Sequence, residues 1–346
     1  MKNASLLVTL IVVLLGVSAC GGATPPPSSP PAAAASVRIA FIPPAYTSPF
    51  HVAVKEGVQR SGAGLGWEMS LDAPDNEGDF ARQSALFEQA VNDRVAAIGV
   101  TPINPNAIAA GVKKANAAGI PVFVPNLITP LESGKVVQYI GYDQWGGADL
   151  LAKYSCAALK NEGQVFILTG RAGFHTNRRT GGFKAGLQKY CPRVQIVGEQ
   201  TGEWEREKSA AVASAALQQQ PEIDLFYGNS DEMSIGACQA ARQLKRTVNQ
   251  DIFCVGIDGN AVTLDLIEKG EVSATLGVYP DKIGETMVGQ MAAYLKGAPV
   301  PQILMTPSVV VDAANLADYR SGKTWTAPVE GAPELDNRKP TTAKAP

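Results

Sequence analysis

The chain has 346 residues, enough for two compact lobes that each bury a core, and its formal net charge is −2. No basic field is present to gather nucleic acid, which sets that class of partner aside. Two histidines in the whole chain are too few for most metal sites or for a set of catalytic bases, so neither a metal nor a cofactor is expected.

Lys2 supplies a positive start, and residues 6–16 form an apolar run too short to span a membrane comfortably. The run ends in Val17-Ser18-Ala19-Cys20-Gly21, which resembles a bacterial lipoprotein signal. Residues 1–20 would then be the signal, with Cys20 lipidated as the mature N-terminus and anchored in a bilayer on the periplasmic or outer cell-surface side. An ordinary cleaved signal with an incidental cysteine is the competing reading. Residues 21–36 are rich in proline and alanine, cannot bury a core, and read as an extended tether. Residues 320–346 have a similar composition and are expected to be disordered.

Between these ends, strand and helix signals alternate. Residues 37–42 are an apolar run closed by Pro43-Pro44, and Phe50, Val54, Val58 and Leu65 then keep roughly helical spacing. Residues 67–71 read as a second strand. Phe80, Ser84, Phe87 and Val91 mark one face of the next helix, with Asp79 as its cap. A strand at 95–100, a helix at 106–118, a strand at 122–124 and another at 136–140 complete the first half. The second half repeats the rhythm, with strands at 164–168, 194–197, 223–227, 252–257 and 273–276, and helices starting near Trp145, Thr176, Glu205, Asp231 and Ala261. A helix at 281–295 and a last strand at 303–311 follow. Repeated βα units predict an α/β fold of two doubly wound parallel-sheet lobes. Residues 225–237 hold the chain's most informative loop: the run Leu225-Phe226-Tyr227 ends in Gly228-Asn229-Ser230, and a helix opens on Ser230 or Asp231. Such loops lie at the carboxyl ends of strands, where ligands bind, so this one is expected to form a jaw of a cleft.

Four cysteines follow Cys20: Cys156, Cys191, Cys238 and Cys254. An even number in an exported chain points to disulfides, with three connectivities open. Neighbours in sequence, Cys156 with Cys191 and Cys238 with Cys254, are the favoured pairs; four buried thiols are the alternative. No C-x-x-C spacing suggests zinc.

From residue 37 to about 319 the chain resembles the ribose-type sugar-binding proteins of bacterial ABC importers. These share the type I periplasmic-binding-protein fold with the effector domains of LacI-type repressors. The resemblance rests on Ser48-Pro49-Phe50, Lys55-Glu56-Gly57, Ala118-Gly119-Ile120-Pro121-Val122 and Arg179-Thr180-Gly181-Gly182-Phe183. It continues through Asn229-Ser230-Asp231-Glu232-Met233, Val255-Gly256-Ile257-Asp258-Gly259 and Pro280-Asp281-Lys282-Ile283-Gly284, all in order. The lack of a helix-turn-helix segment, with a lipoprotein-like signal in its place, argues against the repressor branch.

The resemblance implies a hinge of three crossings, near residues 141–143, 278–280 and 306–308. One lobe would comprise 37–141 plus 280–306, and the other 142–279 plus 307–319. It implies a monomer that captures a small molecule between closing lobes and delivers it to a membrane permease. Docking on a chemoreceptor or sensor kinase, or binding of a non-sugar molecule, remains the alternative. Arg179 matches the family's cleft arginine and Asp258 its sugar-binding carboxylate, while neighbouring Arg178 reads as a solvated loop residue. Phe50 and Trp204 match positions where aromatics stack on the sugar, and His51 follows where a second aromatic is common. Ser48 aligns with a polar position on one lobe; Asn229 or Ser230 does so on the other, a one-residue shift deciding which meets the ligand. Two departures make the pocket less polar. Asn126-Leu127 stands where the family commonly has Asp-Arg, and Val278-Tyr279 where ribose binders have glutamine. A deoxy sugar, a polyol or another ligand with an apolar face therefore fits better than ribose, with Asn126 and Tyr279 in the site.

An enzyme is the competing class. H-E-x-x-H and G-x-S-x-G are missing, and Gly62-x-Gly64-x-Gly66 lacks dinucleotide-binding spacing. Residues 317–324 formally resemble a phosphate-binding loop but lack the strand–loop–helix setting that would present its amides.

Overall fold

The computed structural model describes residues 36–128 and 130–331. The signal with Cys20, the tether up to residue 35, and residues 332–346 lie outside them.

The first lobe forms around β1 (Arg38–Ile42), β2 (Glu68–Ser70), β3 (Ala97–Val100), β4 (Val122–Pro125) and β5 (Gln138–Gly141), threaded by α1 (Pro49–Gly64), α2 (Phe80–Asn92) and α3 (Pro105–Ala117). These strands are parallel in the order β2-β1-β3-β4-β5. β3 and β4 are buried along their whole length, the continuous apolar signature of a sheet covered on both faces. Each helix start has a local cause. Asp79 accepts a hydrogen bond from the Arg82 amide at 2.8 Å, Asn104 caps α3 through its Oδ1, and Pro49 and Pro105 occupy first-turn positions where a missing N–H costs nothing.

The second lobe contains α4 (Gln144–Ala158), β6 (Gly163–Thr169), α5 (Phe174–Tyr190), β7 (Val194–Thr201), α6 (Arg206–Gln219), β8 (Leu225–Gly228), α7 (Asp231–Gln243), β9 (Phe253–Asp258), α8 (Ala261–Glu268) and β10 (Ala274–Gly277). Its parallel strands run β10-β9-β8-β6-β7. α9 (Pro280–Leu295) and β11 (Ile303–Met305) return to the first lobe, where β11 lies parallel to β5. β12 (Val309–Val311) then joins the second sheet antiparallel to β10, followed by α10 (Leu316–Arg320).

The chain therefore passes between lobes after β5, after β10 and after β11. Residues 303–311, a single strand by periodicity, are divided between the two sheets, because Thr306-Pro307-Ser308 interrupts the run and Pro307 has no N–H for a ladder. A fourth passage was not anticipated. β13 (Val329–Glu330) pairs antiparallel with β11 on the first lobe, and the Gly331 amide donates to the Ile303 carbonyl at 3.0 Å. The disorder expected from 320 onward is thus corrected as far as 331. Trp325, half-buried, packs against the second lobe's core and sets its ring edge on Tyr279, 5.2 Å between centroids, a contact that a composition count does not see.

One apolar cluster runs through both lobes, from Phe41 and Val54 past Tyr142 and Val278 to Phe183 and Leu225. The outer faces have their own clusters, under α2 and α3 on the first lobe and under α6, α7 and α8 on the second. The close crossing of α1 over α9 explains two of the matched phrases: a Cβ on Gly57 would stand 1.9 Å from the Asp281 carbonyl oxygen, and one on Gly284 2.2 Å from that of Val54. Cys156 on α4 and Cys191 after α5 have Cα atoms 5.6 Å apart, and Cys238 on α7 and Cys254 in β9 5.9 Å, both disulfide-bonded.

Candidate functional site

A cavity of about 420 Å³ opens between the lobes, and its walls come from loops at the carboxyl ends of the strands. β1 leads to Ser48, Phe50 and His51, β3 to Thr101, and β4 to Asn126 and Leu127. From the other lobe β6 leads to His175 and Arg179, β7 to Trp204, β8 to Ser230, and β9 ends on Asp258.

Arg179 is 4 % exposed and fixed on three sides. Its Nη1 donates to the Asn229 carbonyl at 2.7 Å and lies 3.5 Å from Asp258 Oδ1, while its Nε donates to Gln144 Oε1 at 3.2 Å. Trp204 stands 5.6 Å from the guanidinium and Tyr142 5.8 Å. Trp204 reaches this position because Glu203 and Trp204 both adopt left-handed backbone, φ 53° and 69°, and because Gly170 leaves room: a Cβ there would stand 2.0 Å from the indole. Asp258 is held from behind by Asp231, whose Oδ2 accepts from the Gly259 and Asn260 amides at 2.9 Å each and whose Oδ1 accepts from Thr275 at 2.5 Å. Asp231 is the first residue of α7, after Ser230 at the cap position.

Burial governs the charges. It pushes the Asp258 carboxyl well above its ordinary range against the opposing pull of Arg179, and raises Asp231 to about 6 against the Thr275 hydrogen bond. Burial and then Arg179 lower His51 and His175 to about 3, so both rings are neutral at pH 7. Glu77, 3.9 Å from His51 Nε2, is raised to about 7 by burial. Four buried polar atoms on the cavity's residues have no protein partner: His51 Nδ1, Asn126 Oδ1, Arg171 Nε and Ser230 Oγ. Such atoms are costly unless something else satisfies them.

Eight of the ten ligand-site residues expected from sequence therefore line one cavity: Ser48, Phe50, His51, Asn126, Arg179, Trp204, Ser230 and Asp258. Two do not. Tyr279 has left-handed backbone, φ 53°; its amide donates to the Tyr319 hydroxyl at 3.0 Å and its ring stacks on Tyr319 at 4.2 Å, away from the cleft. Asn229 is fully buried behind the wall, its Oδ1 accepting from the Gly170 amide and from Thr180 at 3.2 and 3.0 Å. Arg178 is not solvated either, since it is buried with its guanidinium 5.4 Å from the Trp145 ring. Sequence reasoning missed Gln144, which ties Arg179 to the Asn126 carbonyl across the first hinge crossing, and also Glu77 and His175. A glutamine directly after the helix cap Asp143 was the one legible sign, for a polar residue there needs a partner once buried.

Residues 39–299 match the model of the periplasmic binding protein domain. The chain belongs to the periplasmic binding protein family. It is 28 % identical over 261 residues to the ribose import binding protein RbsB of Bacillus subtilis, covering 75 % of this chain and 82 % of that one. It is 30 % identical over 253 residues to the D-ribose/D-allose-binding protein of Pseudomonas aeruginosa, covering 71 % and 78 %. A solute-binding protein of an ABC transporter from Actinobacillus succinogenes, solved with bound D-allose, superposes with a TM-score of 0.77 at 24 % identity, over 82 % of this chain and 99 % of that one. These relatives carry the names of binding proteins. Among the described residues no helix is long and apolar enough to cross a membrane, and no cluster of His, Cys, Asp and Glu could hold a metal ion.

Proposed function

We propose that this protein is the solute-binding component of an ABC importer, capturing a sugar or related polyol between its lobes and handing it to a membrane permease. The cleft's inventory carries the reading: a buried arginine–aspartate pair, aromatic faces at Phe50 and Trp204, and the unpartnered atoms of His51, Asn126 and Ser230. Vicinal hydroxyls both donate and accept, and the faces of a sugar ring are apolar, so such a ligand satisfies all three features at once. The names of the ribose- and allose-binding relatives support the same ligand class.

In this reading residues 37–141 with 280–306 move against 142–279 with 307–319, and closure is driven by contacts that exist only in the closed form. Cys20 anchors the protein to the bilayer through a tether at 21–36, and it acts as a monomer. Asn126-Leu127 in place of a charged pair favours a deoxy sugar or a polyol over ribose. Thermal-shift and calorimetric titration against aldoses, deoxy sugars and polyols tests this, since a ligand at a hundred times its Kd stabilises the fold by about 2.7 kcal/mol. No shift with any member would overturn sugar capture, and ribose as the tightest ligand would overturn the preference. Normal uptake of the bound sugar in a deletion strain would count against import and leave sensing.

A further inference from the structure

The cleft is not uniform along its depth. Its volume of about 420 Å³ falls within the roughly 300–1,000 Å³ of pockets that enclose drug-sized ligands. The lobes already meet at its rim. Arg171 Nη1 of the second lobe lies 3.2 Å from where a Cβ on Gly78 of the first would stand, and Phe174 packs against the first lobe's outer core.

Burial separates a floor from a mouth. The floor is polar and nearly inaccessible, with His51, Asn126, Arg179, Ser230 and Asp258 all buried. The mouth is lined by Phe80, which is 50 % exposed, with Ile103, Pro105 and Phe174. The polar side chains near the mouth are engaged within the protein except at Arg171 Nε, which has no partner. Arg171 is paired with Glu205 at 3.0 Å, Asn104 Oδ1 caps α3, and Glu232 is held by two hydrogen bonds from Arg206. What the mouth offers a ligand is mainly apolar surface, with Arg171 Nε its one buried unpartnered polar atom, while the other three lie at the floor.

Resting on the sugar-capture reading, we infer that the physiological ligand is a sugar or polyol carrying an apolar substituent, with the ring on the polar floor and an aryl or alkyl group against Phe80, Ile103 and Phe174. The substituent covers apolar surface that a free monosaccharide leaves wet, and the gain follows the area removed from water.

Isothermal titration of the protein with D-ribose, D-allose and D-fucose, and with the phenyl β-glycoside of each, tests the inference. For any sugar that binds, the phenyl glycoside is expected to bind about tenfold more tightly or better, and Phe80→Ser and Ile103→Ser each to pull that ratio back toward one. A glycoside that binds no more tightly than its free sugar, or a ratio indifferent to both substitutions, overturns the apolar subsite and leaves sugar capture standing. Silence from all six compounds overturns the inference, while the sugar-capture reading on which it rests falls only if the wider panel of aldoses, deoxy sugars and polyols is silent as well.

Discussion

Replacing Arg179 with methionine should be among the most damaging single changes to the fold, and its cost should depend on pH. The guanidinium donates to the Asn229 carbonyl and to Gln144 and is the cation beside Asp258, with both members of the pair buried. Removing one partner of a buried ion pair costs about 3–5 kcal/mol, because the other charge is left uncompensated. Burial already raises the Asp258 carboxyl and Arg179 opposes that rise, so without Arg179 the folded state holds the Asp258 proton to still higher pH. The unfolded aspartate releases its proton near ~3.9, so the folded variant binds more protons than the unfolded chain above that pH, and stability falls as pH rises. Glu77 changes in the same direction, since Arg179 also lowers its carboxyl. The deficit of Arg179→Met relative to the parent should therefore be larger at pH 8 than at pH 5, by up to about 1.4 kcal/mol per pH unit for each extra proton held. Urea unfolding at both pH values gives the numbers, and adding Asp258→Asn should recover part of the loss at pH 8 by removing the stranded carboxylate. A deficit below about 1 kcal/mol, equal deficits at the two pH values, or strict additivity in the double variant would refute the argument.

Three further outcomes follow from the same geometry. His51 and His175, the chain's two histidines, are held down to about 3, so their ring resonances should stay flat from pH 8 to pH 5. The stability tied to their neutrality is complete above ~6.5 and drains as pH falls toward 3; a titration midpoint near 6.5 in the folded protein would contradict their burial. Ser230→Ala removes a buried hydroxyl with no partner, so ligand-free stability should hold or rise by up to about 1 kcal/mol while sugar affinity drops about tenfold; a large loss of ligand-free stability would show that the hydroxyl is already engaged. Replacing both Cys238 and Cys254 with alanine opens a bridge spanning 16 residues and should cost about 3 kcal/mol in the chain-entropy account, read from urea midpoints under non-reducing conditions. Unchanged midpoints would mean that the bridge adds nothing.

The loops that form the cleft were largely legible because strand–loop–helix alternation marks the carboxyl ends of the strands before any contact is known. Ser230 and Asp258 stand at the ends of apolar runs, whereas Ser48 and Arg179, the latter inside α5, were expected from the family resemblance; all four line the cavity. Asn229 and Ser230 could not be told apart by that reasoning. They are adjacent in one loop, and the turn alone decides that Asn229 faces inward to Gly170 and Thr180 while Ser230 faces the cleft. Tyr279 shows the same limit, for its left-handed backbone directs the ring toward Tyr319 and Trp325, residues 40 and more positions away.

By itself the sequence determined the alternation of strands and helices, the two-lobe α/β class and most of the loops that line the cleft. Each of these depends on the burial period of a single element and on turn chemistry between neighbours, and both are written locally. Only the tertiary structure decided the rest: Gln144 as the tie between Arg179 and the Asn126 carbonyl, Glu77 beside His51, and the last strand crossing back to pair with β11. Those depend on contacts between residues far apart in the chain. Their formation is set by how whole lobes pack, and no local period records that packing.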